Sequence, residues 1–165
     1  MTLFVSALVL TNTSSCGDDD GDCRQEPYPL MGEVALAALQ NPESFDSFIA
    51  QNREQLDGQF QECMQQRIAL YARIAEEERA TCDEVYTFGS DFWHDCIEDV
   101  EQSYDLGIIF MNDILRSING TPFAQTDYGG LLILYKQLDP TLYNQAVQLN
   151  AQILNEVTDT CEICD

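Results

Sequence analysis

Between Phe45 and Cys82 the apolar residues return at steps of three and four: Phe45, Phe48, Ile49, Leu56, Phe60, Cys63, Met64, Ile68, Tyr71, Ile74 and Cys82. That spacing lines one side of an α-helix; a half-buried strand would need strict alternation. A second run repeats the pattern through Phe92, Trp93, Cys96, Ile97, Val100, Tyr104, Ile108, Met111, Leu115 and Ile118. Its second half contains "IIFM" and is apolar almost all round, which predicts a helix at the centre of the fold. Two such stretches in one short chain leave little room for anything but helices packed on helices.

Punctuation divides the runs. "LMGEVALAAL" (30–39) is a short helical candidate. "NPES" supplies Asn41 as an N-cap and Pro42 at the first helical position. Asp57–Gly58 can break the first long run into two helices, and "TFGS" (87–90) is a turn whose Ser90 can cap the next helix. Asn119–Gly120 ends that helix, and "TPFAQTD" reads as loop. "GGLLILYKQL" (129–138) is short enough for a strand or a buried helix; helix is expected, since nothing nearby could pair with a strand. Asp139 and Pro140 open a last helix carrying Leu142, Tyr143, Ala146, Leu149, Ile153 and Val157 on one side. At 165 residues and 45% hydrophobic the chain suits one globular domain. The expected fold class is all-α: a disulfide-stabilised helical bundle of four to five helices over residues 30–165.

Charge narrows the partners. Asp and Glu number 29 against 7 Lys and Arg, a formal net charge of -22. Nucleic acid and anionic membrane surfaces would be repelled, and neither is expected as a direct partner. Divalent cations and basic protein faces remain electrostatically compatible. Lys136 is the single lysine, and the arginine-for-lysine bias is similar to that of proteins from salt-rich habitats. An acidic surface also serves solubility alone.

The N-terminal stretch bears on location. "LFVSALVL" (3–10) is too short to span a bilayer and suits the apolar core of an export signal. "TNTSS" follows, then Cys16 and the acidic spacer "CGDDDGD". An apolar run, small residues, a cysteine and a flexible tether: this resembles a bacterial lipoprotein precursor over about the first 23 residues. The resemblance implies cleavage before Cys16 (signal 1–15), lipidation of Cys16, a tether over 16–29, and anchorage to a bacterial membrane, at the outer membrane or cell surface. Acyl chains hold such a protein because each buried methylene contributes ~0.8 kcal/mol. The alternative is ordinary secretion of a soluble protein cut near Ser15. Asp18, Asp20 and Asp22 alternate as in a calcium loop, but Cys23 and Pro29 occupy the positions of its glycine and its bidentate glutamate.

Cysteine arithmetic fits the anchor. Of seven cysteines, lipidation of Cys16 leaves Cys23, Cys63, Cys82, Cys96, Cys161 and Cys164, enough for three disulfides outside the cytoplasm. Cys82 and Cys96 flank the "TFGS" turn at similar distances, so a bridge between them would staple a helical hairpin. Cys63 and Cys23 are expected to pair with Cys161 and Cys164, in either order. The C-x-x-C of "CEICD" sits among Glu162, Asp165 and the end of the chain, surroundings that oppose a reactive thiolate.

Chemistry is sparse. Asp91, His94 and Asp95 are the candidate ligands for a divalent cation, and no other cofactor is indicated. One histidine excludes a ferritin-like two-metal centre. No nucleophile elbow or phosphate-binding glycine loop is present. Phe88, Phe92 and Trp93 are expected to pack in the core and as a cap over the hairpin end; the alternative is a ligand-facing patch. The expected role is a non-enzymatic, membrane-anchored extracytoplasmic domain that binds a protein or cationic partner or serves envelope structure. The alternative is a small secreted hydrolase using two carboxylates, cation-assisted or not.

Overall fold

The computed structural model describes residues 23–27, 30–56, 58–145, 147–148 and 160–164; for 23–27 and 160–164 the description concerns the backbone. In chain order come β1 (Cys23–Pro27), α1 (Leu30–Gln40), a 3-10 turn (Pro42–Ser44), α2 (Phe45–Gln51) and α3 (Gly58–Val85). There follow α4 (Asp91–Val100), a π-helical turn (Glu101–Asp105), α5 (Leu106–Ile118), a 3-10 turn (Phe123–Gln125) and α6 (Asp127–Leu138). Residues 140–145 and 147–148 are helical, and β2 (Thr160–Cys164) comes last. The fold is all-α, with one two-stranded ribbon added.

The helix α3 is the spine. Its 28 residues span about 42 Å at 1.5 Å per residue. Phe60, Met64 and Tyr71, in its first half, enter a core built with Val34, Ala38 and Leu39 of α1, Phe45 and Ile49 of α2, and Phe110, Met111 and Ile114 of α5. This is the face that the three- and four-residue spacing predicts. α5 is central, as "IIFM" implies. The second half of α3 meets only a small cluster, in which Ala75, Cys82 and Val100 are buried with Trp93, Cys96 and Ile97 against them. Among the described residues there is therefore a thick body and a thinner two-helix arm made by α3 and α4.

Two loops carry more structure than their composition suggests. Asn41 makes no side-chain cap, and Pro42 opens a 3-10 turn before the chain enters α2 at Phe45. "TPFAQTD" also contains a 3-10 turn, where Phe123 is fully buried and stacks edge-on to Phe45 at 4.8 Å. The Asp46 carboxylate accepts the Phe123 N–H at 2.9 Å, and the buried Asp113 accepts that of Tyr128 at 2.7 Å. Thr126 caps α6, its hydroxyl accepting from Gly129 N–H at 3.2 Å. A β-carbon at Gly129 would lie 2.1 Å from the Phe123 carbonyl oxygen, so only glycine lets α6 start this close to the turn. Lys136 on α6 reaches the Gln40 carbonyl and Glu43, the latter at 2.8 Å. Its hydrogen bond holds the Glu43 carboxyl below the usual glutamate value, against a smaller opposing effect of burial.

One two-stranded ribbon is added to the helices. β1 pairs antiparallel with β2, Cys23 opposite Cys164 and Glu26 opposite Cys161, so residues 23–27 belong to the folded body. "CRQEP" shows no strand signature; it is extended because a distant segment supplies its partner. β2 also packs on α3. The predicted Cys82–Cys96 bridge is present, with Cα atoms 5.9 Å apart, and Cys63 is also disulfide-bonded. The side chains of Cys23, Cys161 and Cys164 lie outside the described residues, as do Cys16, the signal-like stretch and Ala146, Leu149, Ile153 and Val157. Among the described residues no helix is long and apolar enough to cross a membrane.

Candidate functional site

The arm begins where α3 rises past Ala75. From there its partners are α4 and the π turn, and the Cys82–Cys96 bridge ties the two sides just below the loop. Gly89 takes a left-handed conformation (φ 77°) that lets the loop close, and the Ser90 hydroxyl caps α4 by accepting the Trp93 N–H at 3.2 Å. The indole N–H of Trp93 donates to Asp83 across the hairpin at 2.8 Å. A disulfide, a cap and a cross-hairpin hydrogen bond thus make the loop rigid.

What this rigid loop presents is aromatic. Phe88 is 80% exposed and Phe92 73%, with Val85 at 62% and Tyr86 at 40%. Phe88 leans on Trp93 with ring centroids 4.6 Å apart, and Tyr86 stacks with Phe92 at 6.4 Å. The expectation of packing holds for Trp93, half-buried against Ala75, Cys82 and Val100, and is corrected for Phe88 and Phe92, which pack on neighbouring rings and face solvent. A two-helix hairpin is too narrow to cover them. Asp83, Glu84, Asp91 and Asp95 are exposed around the patch. Leu131, Leu134, Leu138 and Leu142 form another exposed apolar strip, shortly before the chain runs on into 149–159.

Below the tip a shallow, open groove of about 640 Å³ follows one face of the continuous helix formed by α4, the π turn and α5. Among the described residues it is lined by that one helix, through two rows at four-residue steps: His94, Glu98, Gln102 and Leu106, and beside them Ile97, Glu101, Asp105 and Ile109. In an ordinary α-helix such a row drifts, because four residues overshoot a full turn by about 40°. The π turn at Glu101–Asp105 takes more residues per turn and offsets that drift. Both rows consequently stay on one side of the helix for four turns. The ends are apolar, at Ile97 and at the exposed Leu106 and Ile109, and the middle is acidic. Glu98 accepts from Gln102 at 2.8 Å, and Asp105 is ion-paired with Arg79 of α3. Tyr104, on the same turn, stacks edge-on to Tyr71; burial, and then the charge of Glu78, pushes its phenol pKa up.

The candidate cation ligands are not brought together. His94 lines the groove and meets the Trp93 ring edge-on at 5.0 Å, whereas Asp91 and Asp95 lie outside that groove. Among the described residues no group of three His, Cys, Asp or Glu side chains is placed to hold a metal ion. Asp91 stands in the first turn of α4, where a carboxylate complements the helix dipole. Reading the sequence alone also misses the groove. Its signal is the four-residue step from 94 to 109, which an unbroken period of 3.6 hides. Comparison with protein-family models, with curated proteins and with solved structures gives no match.

Proposed function

We propose that this protein is a non-enzymatic binding domain, anchored outside the cytoplasm by a lipid on Cys16, that engages a partner protein through its stapled arm. The observation that carries the reading is the exposure of Phe88 and Phe92 on a loop held by a disulfide. Solvent-facing aromatic rings reduce solubility, and rings fixed in place lose little conformational entropy on binding; both features suit an interface anchor. The carboxylates around the patch disfavour insertion into an anionic bilayer and favour a protein with a basic rim.

The position of the arm supports this reading. If Cys63 pairs with Cys161 or Cys164, as the sequence predicts, the ribbon belongs with the Cys63 end of the spine; Cys63 is disulfide-bonded and β2 packs on α3. Cys16 precedes that ribbon by seven residues. From Cys63 to Val85 the helix rises about 33 Å. An anchor at Cys16 would thus hold one end of the molecule at the membrane and present the aromatic loop at the other.

The test has two arms. Cys16→Ser should move the protein from the membrane to the soluble fraction of the source cells. A photo-crosslinking residue at Phe88 should give a discrete protein adduct, and one at the exposed Ala72 on α3 should not. Continued membrane attachment of the serine variant would overturn the anchor. The same adducts from both positions, or none from 88, would overturn the role of the tip.

A further inference from the structure

We propose that the ribbon is a covalent clasp, closed by a Cys23–Cys164 bridge across its strands and by a Cys63–Cys161 bridge to α3. The sequence leaves the order of these pairs open, and the register of the strands decides it.

Geometry removes the alternatives. Cys82 and Cys96 are bonded to each other, and Cys63 is bonded to another cysteine. Cys23 stands directly opposite Cys164 in the antiparallel ribbon. Opposite residues in such a pair have Cα atoms about 4.5–5.5 Å apart, inside the range of about 4.4–6.8 Å that a disulfide spans. Cys161 stands opposite Glu26, three positions further along. Three positions displace it from Cys23 by about 10 Å and place it on the other face of the ribbon. The same spacing separates Cys161 from Cys164 within β2, so an extended strand keeps those two from bonding to each other. Cys164 therefore goes to Cys23. Cys161 is left on the opposite face, and β2 packs on α3, the helix that carries Cys63.

A clasp answers a physical need. A two-stranded ribbon is marginal by itself in water. This one joins segments roughly 140 residues apart, so closing it costs loop entropy as well. Two bridges, one across the strands and one to the spine, hold what the strand pairing alone would not. Position gives the clasp its role. With Cys16 anchored, as proposed above, the tether reaches Cys23 after seven residues. A pull on the anchor then passes from Cys23 to Cys164, along β2 to Cys161, and across to Cys63 on the spine. That covalent route bypasses α1 and α2. Six cysteines are consumed in three bridges, and the Cys16 sulfur is left for the lipid. The pairing itself stands whether or not that lipid is there.

Peptide mapping without reductant tests the assignment, on full-length protein taken from the compartment where it resides and with free thiols blocked first. Glu162 lies between Cys161 and Cys164, so glutamyl endopeptidase separates the two. The fragment that begins at Ile163 should be linked to the fragment containing Cys23, and fragment 157–162 should be linked to fragment 63–76. Single variants check the map by thiol labelling. Cys164→Ser should expose one new thiol, at Cys23, and Cys161→Ser should expose one at Cys63. Should a variant fail to accumulate, the parent's map decides alone. The crossed linkages, free thiols at Cys161 or Cys164 in the parent, or a bridge from Cys16 to the ribbon or to α3 would overturn the clasp. A parent with all three bridges and no lipid on Cys16 would uphold the clasp and overturn the anchor, so the two readings fail separately.

Discussion

At the residue scale, the tightest positions are those where backbone and side chain share one small space. Gly129 is the clearest. Besides the Phe123 carbonyl, its added β-carbon would lie 2.7 Å from the Thr126 hydroxyl that caps α6. Gly129→Ala must push α6 away from the turn, separating the Thr126 hydroxyl from the Gly129 N–H that it accepts and loosening the buried Tyr128. We expect a loss of about 3 kcal/mol, at the upper end of overpacking costs, and a Tm lower by roughly 6–12 °C in thermal melts. Gly130→Ala, whose β-carbon meets the Ala124 carbonyl at 3.2 Å, should cost much less. A Gly129→Ala protein as stable as the parent would contradict this packing. The signal in the sequence was only a "GG" pair, consistent with strand or helix. The segment is a helix, and what starts it is the Thr126 cap, which the pair of glycines does not announce.

At the element scale, α3 does two jobs that differ in how well they are buried. Its first half is covered by α1, α2 and α5, whereas its second half, among the described residues, packs on α4 and the π turn. The arm therefore depends on the Cys82–Cys96 bridge more than the body does. Closing a loop of about 15 residues contributes about 3 kcal/mol in the chain-entropy picture. For Cys82→Ser with Cys96→Ser, hydrogen exchange should speed up by one to two orders of magnitude in α4 and in the second half of α3. Amides of α5 below Phe110 should keep their protection, because their packing lies in the body. Uniform loss of protection would mean that arm and body unfold as one unit. This hairpin was legible in advance: two cysteines flank a Thr-Phe-Gly-Ser turn between two helical patterns. The π turn was not, since no residue type marks it. It follows from the competing demands of Tyr104 against Tyr71, Asp105 against Arg79 and α5 against the core.

At the scale of the whole molecule, charge sets the conditions under which the fold persists. With a formal net charge of -22, folding brings like charges together, and screening should relieve that repulsion. Raising sodium chloride from 0.01 M to 0.2 M shortens the Debye length from about 30 Å to below 10 Å. Tm should rise over this range and then level off, by about 2–4 °C for each kcal/mol of repulsion removed. A flat or falling Tm would show that the acids are spaced widely enough to be indifferent to one another.

The sequence by itself determined the helices, their approximate ends, the hairpin and its bridge, because these depend on residues within a few turns of each other. Periodicity of 3.6, an N-cap serine and a glycine in a turn are local facts with local consequences. The tertiary structure alone decided which apolar residues found cover. Phe45 and Phe88 are both phenylalanines beside helix ends; Phe45 is sealed by Phe123, more than seventy positions away, while Phe88 stands beyond the reach of any third helix. The ribbon of Cys23–Pro27 with Thr160–Cys164 has the same origin. Burial and strand pairing are properties of pairs of distant segments, and no window of neighbouring residues contains them.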